Sequence, residues 1–119
     1  MTDEQAIETT LLDYFEGWFD GDEARMERAL HPQLAKRALR DGKLSESPAD
    51  EMINATAAGM GKSYAPADLR IEIDVVDIQP PIAAAVVRSN VYREYVHLVR
   101  TENGWKIANA LWEWDREPG

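Results

Sequence analysis

The stretch from Val91 to Asp115, VYREYVHLVRTENGWKIANALWEWD, decides the fold of this 119-residue chain. It contains two runs that are rich in β-branched and aromatic residues, and these residue types favour extended strands. The polar segment Glu102-Asn103-Gly104 separates the two runs and is typical of a tight turn between antiparallel strands. The stretch therefore predicts a β-hairpin whose strands cover residues 91–101 and 105–115.

Two further strands are predicted immediately upstream of the hairpin. In residues 69–77 apolar side chains alternate with charged ones, as in a strand with one buried face, and Pro80-Pro81 ends this run. Residues 82–90 are apolar on both parities, which is typical of a central strand covered on both faces. The four segments together predict an antiparallel meander of about four strands.

Before residue 68 the apolar residues recur with the period of a helix. The first predicted helix starts at Thr2, which has capping-box spacing to Gln5, and it ends at Gly21. One stripe of this helix is apolar and consists of Ile7, Leu11, Tyr14, Phe15, Trp18 and Phe19. A stripe of this kind predicts that the helix packs on the sheet.

Two shorter helices are predicted after the first. Asp22 caps the second, which ends before His31-Pro32, and the third covers residues 48–58. Residues 34–39 suggest another helical turn or an irregular segment. Helices that all precede the strands favour an α+β fold, with three N-terminal helices packed on one face of an antiparallel sheet. We expect one domain over residues 1–119.

Composition excludes several classes of function. The chain has no cysteine and two histidines, so we expect no disulfide, thiol nucleophile, metal site or cofactor. Its 13 basic and 22 acidic residues give a net charge of −9, which repels nucleic acid and anionic membranes. No apolar run reaches the roughly 20 residues of a membrane span, and no leader is apparent. The sequence predicts a soluble, cytoplasmic protein.

Four motifs, in this order, resemble those of a known superfamily. They are Tyr14-Phe15-Glu16-Gly17, the Gly21-Asp22 break, the helix ending Ala29-Leu30-His31-Pro32, and the hairpin Glu102-Asn103-Gly104-Trp105-Lys106-Ile107. Their order and spacing resemble the nuclear transport factor 2-like proteins, which have a cystatin-like fold. Within that superfamily the sequence is most similar to the family called "putative lumazine-binding" and to SnoaL-like proteins.

The resemblance implies a cone-shaped molecule. A strongly curved antiparallel sheet would wrap the helices and leave a pocket at its open end, and members commonly pair as homodimers through the outer sheet face. The same cone serves isomerases, dehydratases, polyketide cyclases and binding modules, so the fold does not settle the function. Ketosteroid isomerases of this superfamily use a tyrosine of the first helix, which Tyr14 matches. No aspartate follows Leu30, where those enzymes place their base.

Strand parity selects the residues that face the pocket. Val96 and Leu98 are better buried than their neighbours, so Tyr92 and Glu94, which share their parity, are predicted to face inward. A one-residue slip in register would exchange the two faces of this strand completely.

The parity of the last strand separates an inner from an outer set. In the resembling folds the pair Trp105 and Ile107 faces the helices, and Asn109 would follow them inward if no bulge intervenes. An inward Asn109 would either bind backbone groups or point into a wet cavity. The opposite parity belongs to Trp112 and Trp114. We therefore predict a homodimer through an outer aromatic surface formed by Tyr95, His97, Trp112 and Trp114.

Three residues are candidates for acid-base catalysis. An inward Glu94 could act as a general base, or it could simply form an ion pair with Arg37 or Arg40. His31 has the intrinsic pKa for proton transfer, although its place before a proline equally suits the end of a helix. Tyr14 could donate a hydrogen bond from the apolar wall of the first helix.

The predicted ligand-binding residues combine apolar and polar groups. They are Tyr14, Trp18, Met26, Arg37, Met52, Tyr92, Glu94 and Asn109. Three functions fit this pattern: a small-molecule-binding protein, a cofactor-independent isomerase, dehydratase or cyclase, or a structural dimerisation module whose cavity is filled by its own side chains.

Overall fold

The computed structural model describes residues 1–115 and is an α+β fold; the last four residues of the predicted domain lie outside the described part. Its helices are α1 (Asp3–Asp20), α2 (Glu23–Ala29), α3 (Ala49–Ala57) and α4 (Met60–Tyr64). Its strands are β1 (Leu30–Arg40), β2 (Lys43–Ser47), β3 (Ile71–Gln79), β4 (Ile82–Ser89), β5 (Tyr92–Thr101) and β6 (Gly104–Trp114). None of the helices in residues 1–115 is long and apolar enough to span a membrane.

The strands form one curved, open sheet in the order β2-β1-β6-β5-β4-β3. The α+β prediction, the three predicted helices and the four-strand meander are confirmed. Two strands and α4 were missed, and the sheet is mixed because β1 pairs with β6 in parallel. The helices cover the inner face of the sheet, and the hydrophobic core lies between the two layers.

The first helix follows its sequence signals closely. Thr2 accepts a hydrogen bond from the Gln5 backbone while the Gln5 side chain accepts one from Thr2, which completes the capping box. Gly21 ends the helix in the left-handed conformation, with φ of 71°. The predicted apolar stripe is buried against the sheet, so α1 is the main support of the core.

Residues 34–39 form a strand, so the expected helical or irregular segment was wrong. Leu34, Lys36 and Ala38 face the interior, whereas Arg37 and Leu39 are exposed, which is the period of a strand. The local spacing of apolar residues fits a helix, but pairing with β2 and β6 on either side overrides it. This strand brings a lysine into the core.

A bulge in β6 exchanges the faces of the last strand. His97 pairs with Asn109 and Leu98 pairs with Ile107, which leaves Ala108 as an extra residue. An extra residue shifts the parity of all that follows. Trp105 and Ile107 are inside as expected, but from Ala108 onward the inner and outer sets are interchanged.

Two predictions on β6 are therefore corrected. Trp112 and Trp114 pack against the core on the inner face instead of lying on the outer surface. Asn109 lies on the outer face beside His97, and their side-chain nitrogens are 3.4 Å apart. Tyr95 and His97 do lie on the outer face, as expected from their parity.

An acidic side chain of α1 ties the first two helices together. The carboxylate of Asp13 accepts hydrogen bonds from Arg25 and Arg28, each at 3.0 Å. Burial would raise the pKa of Asp13, but the hydrogen bonds from Arg28 and Arg25 outweigh it and hold the pKa below the usual 3.8. The ionised carboxylate therefore stabilises the folded state.

We predict that Asp13→Asn lowers the free energy of unfolding at neutral pH by about 2 kcal/mol, the range of hydrogen bonds to charged groups. Because the folded-state pKa is depressed, this contribution is present above pH 3.8 and is lost as the pH falls towards the lower folded-state value. Urea unfolding at several pH values measures it. The exposed Asp20→Asn serves as the control, and equal losses in both variants would contradict the assignment.

Candidate functional site

A cavity of about 230 Å³ lies between the helices and the inner face of the sheet. Helices α1, α3 and α4 form one side, and strands β1, β5 and β6 form the other. Its lining is Tyr14, Phe15, Trp18, Lys36, Ser47, Glu51, Met52, Ala55, Met60, Tyr64, Tyr92, Glu94, Trp112 and Trp114. Half of these residues are aromatic, and the polar groups of Tyr14, Lys36 and Glu94 contact one another.

Three side chains meet at this polar point, which we call the buried triad: Tyr14, Lys36 and Glu94. The Tyr14 hydroxyl donates to Glu94 Oε1 at 3.2 Å, and Lys36 Nζ lies 3.2 Å from the same oxygen. Lys36 Nζ also donates to the Tyr14 hydroxyl. The three groups come from α1, β1 and β5, so the triad joins a helix to two strands of the sheet.

The triad is almost completely withdrawn from water. The side chains of Lys36 and Glu94 are 9% and 2% exposed. Burying one of these charges without its partner would cost several kcal/mol, so each stabilises the other in its charged form. Burial, the charge of Glu94 and the hydrogen bond to it raise the pKa of Tyr14 well above 10, which keeps the phenol protonated.

One oxygen of the triad has no partner. Glu94 Oε2 is buried, and no group within residues 1–115 donates a hydrogen bond to it. An unpaired buried acceptor costs about 1–3 kcal/mol, and a charged one costs more. The cavity therefore contains an acceptor that a ligand with an N–H or O–H group would satisfy.

Aromatic rings surround the ammonium group of the triad. Lys36 Nζ lies 5.0 Å from the ring centre of Tyr14, 5.7 Å from that of Trp18 and 5.4 Å from that of Trp112. These separations allow cation–π attraction. The amine is thus fixed in place by the Glu94 carboxylate and by Tyr14, Trp18 and Trp112.

Tyr92 supplies a hydrogen-bond donor on the aromatic wall. Its hydroxyl accepts a hydrogen bond from Trp18 Nε1 at 3.1 Å, and its own proton has no acceptor within residues 1–115. Burial raises the pKa of Tyr92 to about 12, although the Trp18 hydrogen bond lowers it in part. The neutral phenol is therefore available to donate to a ligand.

The rest of the wall is formed by contacting rings. Tyr92 contacts both Trp112 and Trp114, with ring centres 5.3 Å and 5.1 Å away, and the two tryptophan rings are 5.3 Å from each other. Tyr64 contacts Trp114 at 5.2 Å from the short helix α4. Only the bulge at Ala108 makes this wall possible, because it turns both tryptophans inward.

The structure brings together five of the predicted ligand-binding residues and separates the others. Lining the cavity are Tyr14, Trp18, Met52, Tyr92 and Glu94. Met26 is buried in the core away from the cavity, and Arg37 points outward, where it pairs with Glu46 at 3.7 Å. The possible ion pair of Glu94 with Arg37 or Arg40 was wrong, since Lys36 occupies that place.

Two other predicted residues lie on the opposite side of the sheet. His31 and Asn109 line an outer groove of about 620 Å³ together with His97. The ring of His31 accepts a hydrogen bond at Nδ1 from the Gln33 backbone at 3.0 Å, which fits a residue that ends a helix. His31 is not among the residues around Glu94, so the three proposed catalytic residues do not meet. Within residues 1–115, no group of three potential ligands could hold a metal ion.

Sequence reasoning missed Lys36. The signal was the strand period of Leu34, Lys36 and Ala38, which places a lysine on the same face as two apolar residues. The helical spacing in this segment concealed it. A buried carboxylate also requires a cation nearby, and Lys36 is the partner that Glu94 obtains.

Solved structures with the same architecture are nuclear transport factor 2-like proteins. One, of unknown function, comes from Shewanella baltica and has 19% identity and a TM-score of 0.81, with 96% of this chain and 94% of that chain covered. Another, from Silicibacter pomeroyi, has 20% identity and a TM-score of 0.75, with coverage of 97% and 100%. A ketosteroid isomerase-like protein from Erwinia carotovora has 16% identity and a TM-score of 0.67, with coverage of 95% and 96%.

These similarities establish the fold, a nuclear transport factor 2-like cone. A family model described as "Putative lumazine-binding" matches residues 2–113. The chain belongs to this family. No curated protein matches it.

The contact between α4 and α1 holds together two parts of the cavity wall. A Cβ atom at Gly61 would lie 2.3 Å from the Trp18 carbonyl oxygen and 2.5 Å from its ring. Such distances are far below van der Waals contact, so α4 could not keep its place with any side chain at this position.

We predict that Gly61→Ala costs about 3 kcal/mol of unfolding free energy, the upper part of the range for overpacking. Gly42→Ala is the control, because Gly42 has φ of 77° but no atom within 4 Å of an added Cβ. Its cost should be about 1 kcal/mol, from the left-handed backbone only. Urea unfolding compares the two variants. Equal losses of unfolding free energy would show that the close approach of Gly61 to Trp18 adds no cost of its own.

Proposed function

We propose that this protein binds a small, neutral, planar ligand in the cavity above the buried triad. The observation that carries the proposal is the unpaired Glu94 Oε2 in a cavity lined by aromatic rings. An N–H or O–H group of the ligand would donate to this oxygen. The Tyr92 hydroxyl would donate a hydrogen bond to an acceptor atom of the ligand.

Charge balance favours a neutral ligand. Lys36 already neutralises Glu94 at 3.2 Å, so the buried end of the cavity carries no net charge. Burying a charged ligand would cost desolvation free energy that no counterion in the cavity offsets. The ligand therefore interacts with the triad through hydrogen bonds and with the walls through apolar contact.

Size and shape favour a flat molecule of one or two rings. Sites for drug-sized ligands usually measure about 300–1,000 Å³, and this cavity measures about 230 Å³. Rings on its walls stack on planar groups more readily than on branched aliphatic ones. An open cavity of this size also favours ligand binding over a module filled by its own side chains.

We predict that 2-naphthol binds more tightly than 2-methoxynaphthalene, the same ring system without the O–H donor. The ratio of dissociation constants should be about tenfold or more, since hydrogen bonds to charged groups contribute about 1.5–3 kcal/mol. Isothermal titration calorimetry measures both constants. Equal affinities would contradict a role for Glu94 Oε2.

The matched variants are Glu94→Gln in the cavity and Glu46→Gln on the exposed strand β2. Glu94→Gln should reduce the preference to about threefold or less, because hydrogen bonds between neutral groups are roughly half as strong. Glu46→Gln should leave the preference unchanged. Circular dichroism checks that both variants fold.

A second candidate is acid-base catalysis on such a ligand. The observation that favours it is the contact between Glu94 and Tyr14 at 3.2 Å inside the cavity. Glu94 Oε2 would accept a proton from carbon, and the protonated Tyr14 would stabilise the oxygen that becomes negative. His31 has no part in this mechanism, because it lies across the sheet.

We also propose a homodimer through the outer sheet face, with a revised set of residues. Ile82, Tyr95 and Leu111 are exposed on this face by 59%, 52% and 48%. The same face carries charges of both signs, such as the pair of Arg37 and Glu46, so two copies can be complementary. Trp112 and Trp114 no longer belong to the proposed surface.

We predict that Tyr95→Lys together with Leu111→Lys converts the dimer to a monomer, since two charges would be buried at the interface. Sedimentation velocity measures the mass. Met60→Lys is the control: Met60 is 52% exposed, but it lies on the helical side. A wild-type monomer, or a dimer that survives the double substitution, would overturn this interface.

A further inference from the structure

The buried amine of Lys36 makes more contacts than its role as the counterion of Glu94 requires. The chain contains four lysines, and the other three, Lys43, Lys62 and Lys106, lie outside the cavity lining. Lys36 is the only one of them whose ammonium group is enclosed by a carboxylate, a phenol and aromatic rings. An amine in such surroundings has the partners that carbonyl chemistry requires.

We propose that Lys36 captures a small aromatic aldehyde or ketone as an imine inside the cavity. This inference rests on the proposed function, since it requires that a planar molecule enters the cavity. It adds a covalent step and a substrate class, a carbonyl group attached to a flat ring. It also assigns the role of nucleophile to Lys36, a residue of β1.

The first requirement is removal of a proton from the ammonium group. Glu94 Oε1 lies 3.2 Å from Lys36 Nζ, so the proton has an acceptor at hydrogen-bond distance. After transfer, the neutral amine carries the lone pair that attacks the carbonyl carbon.

The second requirement is a proton for the carbonyl oxygen. The Tyr14 hydroxyl contacts both Lys36 and Glu94, and its raised pKa keeps it protonated. As the C–N bond forms, the π electrons of the carbonyl move to oxygen, and Tyr14 donates a proton to it. Glu94 then returns the proton it received from Lys36 to the Tyr14 oxygen through their hydrogen bond.

The third step is loss of water. After the attack the carbinolamine nitrogen is still protonated, and it gives one proton to Glu94, which passes it through Tyr14 to the hydroxyl group of the carbinolamine. The electron pair left on nitrogen then forms the C=N bond as the hydroxyl leaves as water. Overall, one ammonium group and one carbonyl compound become one iminium ion and one water molecule. The positive charge stays on nitrogen, so Glu94 remains its counterion, and no oxidant or reductant is consumed.

The existing cavity also suits the product. The iminium nitrogen keeps the position of the ammonium group, where the rings of Tyr14, Trp18 and Trp112 already surround a cation at 5.0–5.7 Å. A flat ring conjugated to the iminium would lie along the wall that Tyr92 and Trp114 form. The site thus needs no new counterion and no rearrangement of charge.

Reductive trapping tests the proposal. The wild-type protein is incubated with benzaldehyde and sodium cyanoborohydride, which reduces an iminium ion to a stable benzylamine. Peptide mapping by mass spectrometry then measures the rate of benzylation at each lysine. We expect Lys36 to react about tenfold or more faster than each exposed lysine, because the cavity concentrates and orients the aldehyde. Excess 2-naphthol should suppress this reaction at Lys36 only.

Four variants separate the chemistry of Lys36 from a purely structural role. Lys36→Arg keeps the charge but has no nucleophilic amine, and Lys36→Met is the second choice if arginine disturbs folding. Either should abolish the fast reaction, whereas Lys62→Arg, which removes an exposed amine, should leave it unchanged. Glu94→Gln should slow the reaction at Lys36 by on the order of 100-fold, the size of a general-base contribution.

The outcomes distinguish this inference from the proposed function. If Lys36 reacts no faster than the exposed lysines while 2-naphthol still binds, the imine is wrong and noncovalent binding stands. If neither reaction nor binding occurs, the cavity is closed to ligands and both proposals fail. The wild-type mapping and the competition with 2-naphthol decide the matter even if every Lys36 variant unfolds.

Discussion

The single extra residue in β6 is the constraint on which the cavity depends. Ala108 has no partner on β5, and this bulge reverses the faces of everything that follows it. Without it, Trp112 and Trp114 would lie on the outer surface, and Asn109 would take a place in the core. The inward position of both tryptophans, the contact of Lys36 with the Trp112 ring and the place of Asn109 in the outer groove are all consequences of one register shift.

The buried ion pair of Lys36 and Glu94 is the second organising feature of the structure. Packing apolar residues in both places would stabilise the core at least as well, since buried ion pairs seldom exceed their desolvation penalty. Its presence in a core otherwise built from aromatic and aliphatic side chains thus suggests a role in function. The contrast with Asp13, whose pair of arginines lies near the surface and simply joins two helices, supports this distinction.

The fold itself leaves the function open. Nuclear transport factor 2-like relatives of unknown function and a ketosteroid isomerase-like protein share the architecture at 20% identity or less. In this chain a buried amine, a carboxylate with one unpaired oxygen and a protonated phenol meet in an aromatic cavity. Fold determines where the pocket lies, and these side chains determine what the pocket can do.

The sequence by itself determined helices α1, α2 and α3, the meander and the inward parity of β5, because caps, turns and apolar periods act locally. It also predicted that Tyr14, Trp18, Met52, Tyr92 and Glu94 line the cavity. The bulge at Ala108 and the strand character of residues 34–39 were decided by tertiary pairing, since each depends on partners distant in the chain. The pairing of β1 with β2 and β6 also decided that Lys36 is the cation beside Glu94. Local patterns report which residues can be buried, whereas only the assembled sheet decides which of them meet.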